Sequence, residues 1–569
     1  MAAATSVSAG SYEVESHPRR WLVLAVMCMS LLLIVMDNTI VNVALPTIRE
    51  ELDATTGQLQ WIVDAYILVF AGLLLTMGAL GDRFGRRGAL AIGLSIMAVA
   101  SVASSLATDP GQLIATRAVM GIGGALVMPA TLSIITNVFA NPRERAQAIA
   151  IWSATAGMAV AIGPVTGGWL LEHFWWGSVF LVNVPVVAVS ILLGRAIVPT
   201  SKDPSAPPVD VPGAFLSIVG LVSLVYAIIE GPHGWTEPKV LAGFAAAAVL
   251  LALFVLWERR TEHPMLDVTL FQNPRFSAAS GAISLTFFGM FGAFFLLTQL
   301  LQSVMGYTPL QAGIRLLPMA ATQMAVAPAS AKVVERVGTK IVVATGLLVA
   351  AVGLVMASRI TADASYFDVA AALVVMSAGF AAMMPSATEA IMGSLPPAKA
   401  GVGSAVNDTT RQLGGALGVA VLGSVVSSTY GPQVRDAVAG SPLAATAPPE
   451  SVNAITDQIG AAMEAARTIG GEPGRQLANV ASRAFIDGMS TALLIGAAAL
   501  ALGAIIVAFF LPARARDAAA NGDTADEAND STTNGSANGG NGARSALDGN
   551  RDNPVTEGIG DAEPAPTKA

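Results

Sequence analysis

The sequence predicts an all-α membrane protein with fourteen transmembrane helices, arranged as two six-helix halves with two inserted central helices. Three observations predict it: apolar residues that come in span-length runs, basic residues gathered in alternate loops, and a loop pattern that recurs in both halves. The 569 residues are 54% hydrophobic and only 12% charged, with a mean hydropathy of +0.63. A soluble domain carries about 25% charged residues. The apolar runs are roughly 20 residues long, the length a helix needs to cross a hydrocarbon core of about 30 Å. Lipid is the expected solvent for most of this surface.

Taken in order, runs bounded by charge, Gly and Pro centre near Leu31, Ala71, Ala98, Ala125, Val160, Pro185, Leu221, Ala248, Gly289, Met324, Leu347, Ser377, Leu417 and Ala498. The first run exceeds a signal-peptide core and contains Asp37, which argues against cleavage. With the N-terminus inside, the inner loops collect Arg83, Arg86, Arg87, Arg143, Arg145, Arg195, Lys202, Arg259, Arg260, Arg275, Lys332, Arg336, Lys340 and Lys399. The short outer loops hold only Arg49, Lys239 and Arg359. That asymmetry places both termini in the cytoplasm of a multi-pass protein of the cell membrane. Six lysines against twenty-five arginines, with abundant Ala, Val and Gly, suit a GC-rich bacterial genome.

The resulting organisation is a cytoplasmic N-terminus (1–20), a first six-helix bundle (21–200), an inserted pair (201–260) and a second six-helix bundle (261–511). The second bundle includes a long extracytoplasmic loop (430–484), polar and Ala-rich, expected to form one or two short amphipathic helices. A tail (512–569) of Ala, Gly, Asn and Asp has too few large apolar side chains to offset the entropy of ordering. The loop Asp82-Arg83-Phe84-Gly85-Arg86-Arg87 after the second span is matched by Glu335-Arg336-Val337-Gly338-Thr339-Lys340 after the tenth. Two similar halves related by an axis along the membrane normal are a transporter arrangement, with the binding site expected between them.

Several function classes are disfavoured. No Gly-rich phosphate loop ending in Gly-Lys-Ser/Thr occurs, which argues against an ATP-driven pump. The spans hold one cysteine, Cys28, while His17, His173, His233 and His263 fall outside them, so neither an enzyme nor a metal site is expected. Nothing suggests nucleic-acid binding. Proton chemistry inside the membrane must therefore use carboxylates, and no cofactor beyond a proton gradient is called for.

Charges within the spans are Asp37, Asp64, Arg117, Arg315, Glu389, Asp408 and Arg411. Each costs about 2.5–3.5 kcal/mol at mid-helix on insertion scales, so each needs a partner or a task. Asp37 lies sixteen residues past Trp21, about 24 Å along the helix. Either it carries a proton or cation with Arg117 as counter-charge, or the two form a fixed structural pair. Asp64 and Asp408 each lie about one turn inside a span end, where a solvated end and a functional charge are both open readings. Phe287, Phe291, Phe294 and Phe295 recur at helical spacing, as a packing stripe or as rings able to stack on a cation.

The order of motifs resembles the fourteen-helix drug:proton antiporters of the major facilitator superfamily, of the quaternary-ammonium and multidrug resistance type. The likeness runs from Arg20 to Pro512. It rests on Met36-Asp37-Asn38-Thr39-Ile40-Val41-Asn42-Val43-Ala44-Leu45-Pro46, on Trp61-Ile62-Val63-Asp64-Ala65-Tyr66, on Gly78 to Arg87, on Arg117 with Gly121, on Gly163-Pro164 with Gly167-Gly168, and on Gly403-Ser404-Ala405-Val406 with Gly414-Gly415.

The resemblance implies a major facilitator fold and proton-coupled efflux of lipophilic, cationic drugs and dyes by alternating access, with the bilayer, small lipophilic molecules and protons as partners. It names no protein partner. It implies proton coupling and substrate contact at Asp37, Arg117, Asp64 and Asp408, and a conformational latch at Asp82, Arg83 and Arg87. The stretch Gly163, Pro164, Gly167 and Gly168 marks exporters, and Asn38, Trp61, Tyr66 and Gln323 become candidate cavity lining. Gln323 stands where some relatives carry an acid, which puts dication handling in question. The alternative expectation is an exporter of one endogenous lipid, siderophore or antibiotic-like metabolite.

Overall fold

The computed structural model describes residues 18–139, 141–202, 210–264, 266–392, 394, 400–439 and 449–511. The 512–569 tail and most of the 1–20 segment lie outside them, as does the stretch 440–448. The described residues hold helices and no strand. In chain order the longer helices are α1 (Arg20–Leu52), α2 (Thr56–Phe84), α3 (Arg86–Ser105), α4 (Pro110–Val138), α5 (Pro142–His173) and α6 (Asn183–Ile197). There follow α7 (Val211–Glu230), α8 (Pro238–Glu258), α9 (Pro274–Gln299), α10 (Leu317–Val337), α11 (Thr339–Ser358), α12 (Tyr366–Met392) and α13 (Ala400–Ala439). The chain closes with α14 (Pro449–Asp457), α15 (Ile459–Ile469) and α16 (Gly471–Phe510). A short helix, Pro309–Arg315, leads into α10, and another, Ser178–Leu181, leads into α6.

All fourteen expected centres fall within α1–α13 and α16. Among the described residues, twelve segments are long and apolar enough to cross a membrane. Helices α5 and α10 are rich in Gly, Ala, Pro, Ser and Thr. Both also meet each other across the molecule, where small side chains let backbones approach.

Helix starts are written in the sequence. Thr55 accepts from the Gln58 amide while Gln58 returns a bond to Thr55, a reciprocal cap that opens α2. Asp109 caps α4 and Asn273 caps α9, each followed by a proline that needs no donor partner. The repeated loop has a matching geometry. Gly85 joins α2 to α3 and Gly338 joins α10 to α11 as single-residue hinges, with φ of 125° and 87°. Only glycine adopts such φ values readily, so the glycine shared by the two loops is explained by the backbone.

Packing within the first six spans runs through α1 against α4, α5 and α6, α2 against α4, and α3 against α4 and α6. In the last six, α9 packs on α13 and α16, α11 on α12 and α16, and α10 on α12. The two groups meet where α2 lies against α13 and where α5 lies against the Pro309–Arg315 helix and α10. The inserted α7 and α8 pack on each other, and α7 touches both α2 and α13.

The two short helices α14 and α15 occupy part of the 430–484 stretch and sit over the Thr56 end of α2. Thr56 Oγ1 donates to the Asp457 carbonyl at 2.7 Å, and Gln458 Nε2 donates to the Ala54 carbonyl at 2.5 Å. The Tyr430 hydroxyl donates to the Ile455 carbonyl at 3.1 Å. We call this end the hairpin face and the end bearing Gly85 and Gly338 the basic face.

Candidate functional site

Helix α1 brings Asp37 to the centre of the first six spans, where it is 0% exposed. Its Oδ2 accepts from Arg117 Nη1 of α4 at 2.5 Å, and Arg117 is itself 1% exposed. Arg117 Nε donates to the Ile62 carbonyl of α2 at 3.1 Å, and the guanidinium stands 4.5 Å over the Tyr66 ring. The other carboxylate oxygen, Oδ1, accepts from Asn183 Nδ2 at 2.8 Å, and the same Nδ2 reaches Ser101 Oγ of α3 at 3.2 Å. One carboxylate thus ties five helices together. Removing one partner of such a buried pair costs about 3–5 kcal/mol, because the remaining charge is stranded.

The sequence pairing of Asp37 with Arg117 is therefore a contact. Asn183 and Ser101 are functional candidates that charge-counting missed. The signal that could have found Asn183 is a lone amide within the apolar run Phe180-Leu181-Val182-Asn183-Val184-Pro185. A buried polar side chain in lipid is expected to have a hydrogen-bond role.

Asp64 departs from the solvated-end reading. It is 0% exposed, and both its carboxyl oxygens are buried without a hydrogen-bond partner among the described residues. The end of α2 is roofed by α14 and α15 rather than open to water. Asp64 lies one helical turn from Gln60, on the same face. Gln60 Nε2 is 3.4 Å from the carbonyls of Val419 and Ala420 of α13. Asp64 thus faces the junction between the two groups of spans, while Asp37 is turned into the first group.

Asp408 is paired with Arg411 one turn on, at 3.6 Å, with its side chain 15% exposed. Arg411 also donates to Thr388 Oγ1 at 3.1 Å and stands 5.7 Å from the Phe287 ring. Arg315 is not a mid-span charge: it ends the Pro309–Arg315 helix, stacked 3.7 Å over Tyr307. Glu389 is exposed near the end of α12.

Of the expected lining residues, Asn38, Trp61 and Gln323 are half-buried, but Tyr66 is 0% exposed and packs against Arg117 and Phe70. Its place in the Asp37 network removes it from any open cavity. Phe287, Phe294 and Phe295 are buried, and Phe291 lies against Gly415 and edge-on to Phe287, so the stripe packs. In the loop at the basic face, the Asp82 side chain falls outside the described residues, Arg83 is exposed, and Arg87 Nη1 donates to the Val198 carbonyl at 3.3 Å.

The Gly163–Gly168 stretch of α5 has two neighbours. Gly163 and Gly167 lie against Thr39 and Ile40 of α1, one turn from Asp37, while Gly168 lies against the Leu310 backbone. Gly313 in turn lies against the Pro164 carbonyl. A Cβ at Gly168 or Gly313 would collide with backbone, so this contact between the two groups of spans exists only because both residues are glycine.

Comparison with known proteins accords with this architecture. The model of the Major Facilitator Superfamily matches residues 27–419. The chain is 37% identical over 493 residues to the multidrug efflux pump LfrA of Mycolicibacterium smegmatis, covering 86% of this chain and 96% of that one. It is 34% identical over 496 residues to the tetracenomycin C resistance and export protein of Streptomyces glaucescens, covering 86% and 91%. The methyl viologen resistance protein SmvA of Salmonella typhimurium is 32% identical over 482 residues, covering 84% and 95%. Among solved structures, a bacterial homologue of the human lysosomal transporter Spinster, inward-facing and occupied, aligns with a TM-score of 0.60 at 18% identity, over 87% of this chain and 97% of that one.

Proposed function

Because the chain belongs to the major facilitator superfamily, and so is a multi-pass membrane transporter rather than an enzyme, we propose that it exports lipophilic, cationic drugs and dyes across the cytoplasmic membrane in exchange for protons. The curated relatives named above are efflux and resistance proteins. The observation that carries proton coupling is the Asp37–Arg117 pair, fully buried among helices whose one histidine, His173, is the exposed last residue of α5 rather than outside the helix as expected. A carboxylate in that setting exchanges its proton only when a path to water opens, and its partner's position sets how tightly the proton is held.

In the proposed cycle, a lipophilic cation entering from the cytoplasm and a proton entering from outside compete for the same negative charge. Asp37 takes the proton role. Asp64, at the junction of the two groups of spans, supplies a second carboxyl to the substrate side, with Asp408 and Arg411 bordering the path on α13. Asn38, Trp61 and Gln323 line it. Asp82, Arg83 and Arg87 act as the latch at the basic face, and the Gly163–Gly168 stretch seals the hairpin face. Both termini and the basic face are cytoplasmic, by the asymmetry of basic residues. The transporter is driven by the proton gradient and needs no cofactor.

The test is a pH jump on proteoliposomes loaded with a panel of dyes and drugs. The reading expects several unrelated lipophilic cations to be moved, each collapsing with an uncoupler. A second reading, export of a single endogenous metabolite, is favoured by the relative named for tetracenomycin C resistance and export. It expects one compound of the panel to move and the rest to stay.

A further inference from the structure

Asn183 is placed to do more than hold Asp37 still. Its Nδ2 donates to Asp37 Oδ1 and to Ser101 Oγ, while its own Oδ1 is buried with no hydrogen-bond partner. Asn183 is 0% exposed and Ser101 is 0% exposed, so neither group is completed by bulk water. An amide carries two donors on one side and an acceptor on the other, and a hydroxyl donates or accepts by rotating. A buried polar atom left without a partner costs about 1–3 kcal/mol, so an idle carbonyl beside a titratable group calls for a reason.

We propose that Asn183 is a positioning residue that follows the protonation of Asp37, turning its amide about the Cβ–Cγ bond so that both forms of the carboxyl are satisfied. This rests on the reading of Asp37 as the proton carrier. With Asp37 charged, Asn183 Nδ2 donates to it, as in the structure. When Asp37 takes a proton from water on Oδ1, the new O–H needs an acceptor, and the turned amide offers its idle Oδ1. Ser101 then rotates from acceptor to donor toward the same oxygen. The one O–H bond formed on Asp37 is matched by the one given up by hydronium, which leaves as water.

The groups facing Asp37 leave few other candidates for this task. Arg117 of α4 offers donors alone and so accepts nothing from a protonated acid. Tyr66 of α2 lies under the guanidinium. From α5, Gly163 lies against Thr39 and brings no side chain. Asn183 lies at the start of α6, into which the Ser178–Leu181 helix runs through helical backbone at Val182. A turn of its side chain therefore changes the hydrogen bonds that α6 makes to α1 and α3.

The experiment is infrared difference spectroscopy of the full chain in lipid between pH 5 and pH 8, together with tetraphenylphosphonium counterflow and pH-driven efflux. In the wild-type protein a carboxylic-acid carbonyl band that vanishes in Asp37→Asn appears with a change in a side-chain amide band. In Asn183→Leu that band moves to higher wavenumber, because the acid loses its partner, and the amide change is absent. Asn183→Asp keeps the shape but makes two adjacent carboxyls that share one proton. It loses pH-driven efflux at least tenfold while counterflow stays within twofold of wild type. An unmoved band with a retained amide change, or wild-type pH-driven efflux in Asn183→Asp, overturns the proposal. Absence of any band assignable to Asp37 in the wild type instead overturns the proton-carrier reading, and the proposal with it.

Discussion

Asp37 and Asp64 are equally buried, yet one is held by a guanidinium and an amide and the other has no hydrogen-bond partner among the described residues, so substitution separates what each contributes. Asp37→Ala strands Arg117 and should cost about 3–5 kcal/mol of stability. Asp64→Asn removes a desolvated carboxyl without breaking a pair and should be neutral or stabilising. Thermal unfolding of the purified proteins in one detergent measures both. Equal loss of stability in the two variants would mean that Asp64 is also held by a partner. At this scale, the sequence made the Asp37–Arg117 pair legible because charges within apolar runs are rare and must find one another. It did not reveal Asn183, whose amide carries no charge and sits in an otherwise ordinary apolar run. Nor did it reveal the burial of Asp64, which depends on helices far along the chain closing over it.

Gly85 and Gly338 occupy corresponding places in the repeated loop, each at positive φ, and each joins two long helices with no intervening residue. Replacing either by Ala forces a side chain into a conformation that costs about 1–3 kcal/mol. Both variants should therefore lose stability by similar amounts, while Gly88→Ala, where a Cβ would meet nothing, serves as the silent control. The contact of α5 with the Pro309–Arg315 helix predicts a different signature. Gly168→Val should leave the helices formed but push the hairpin face apart, lowering transport at least tenfold. A cysteine pair spanning Glu172 and Thr308, residues now joined by a side-chain hydrogen bond, should crosslink readily in the parent and poorly in Gly168→Val. Unchanged crosslinking would remove the sealing role. Helix positions were legible from length and periodicity, and the repeat from its glycine. That α5 packs on both α1 and the second group of spans was not, because small residues signal close packing without naming the partner.

For the whole molecule, orientation rests on fourteen basic residues in the inner loops against three in the short outer loops. Ala439, exposed at the end of α13 on the hairpin face, should react with an impermeant thiol reagent from outside intact cells when made cysteine in a Cys28→Ser background. Labelling only after permeabilisation would invert the assignment. The two-group architecture was readable because lipid demands satisfied backbones and span-length apolar runs. The roof of α14 and α15 over the Thr56 end of α2 was not, since its bonds run through backbone carbonyls that carry no residue signature.

The proposed coupling of proton to drug movement through Asp37 is tested by recording proton and tetraphenylphosphonium fluxes together in proteoliposomes of wild-type and Asp37→Asn protein. The expected result is a fixed exchange ratio in the wild type, and in Asp37→Asn a weakened counterflow of drug with no accompanying proton flux and no response to a pH gradient. A fixed proton-to-drug ratio retained in Asp37→Asn would contradict it.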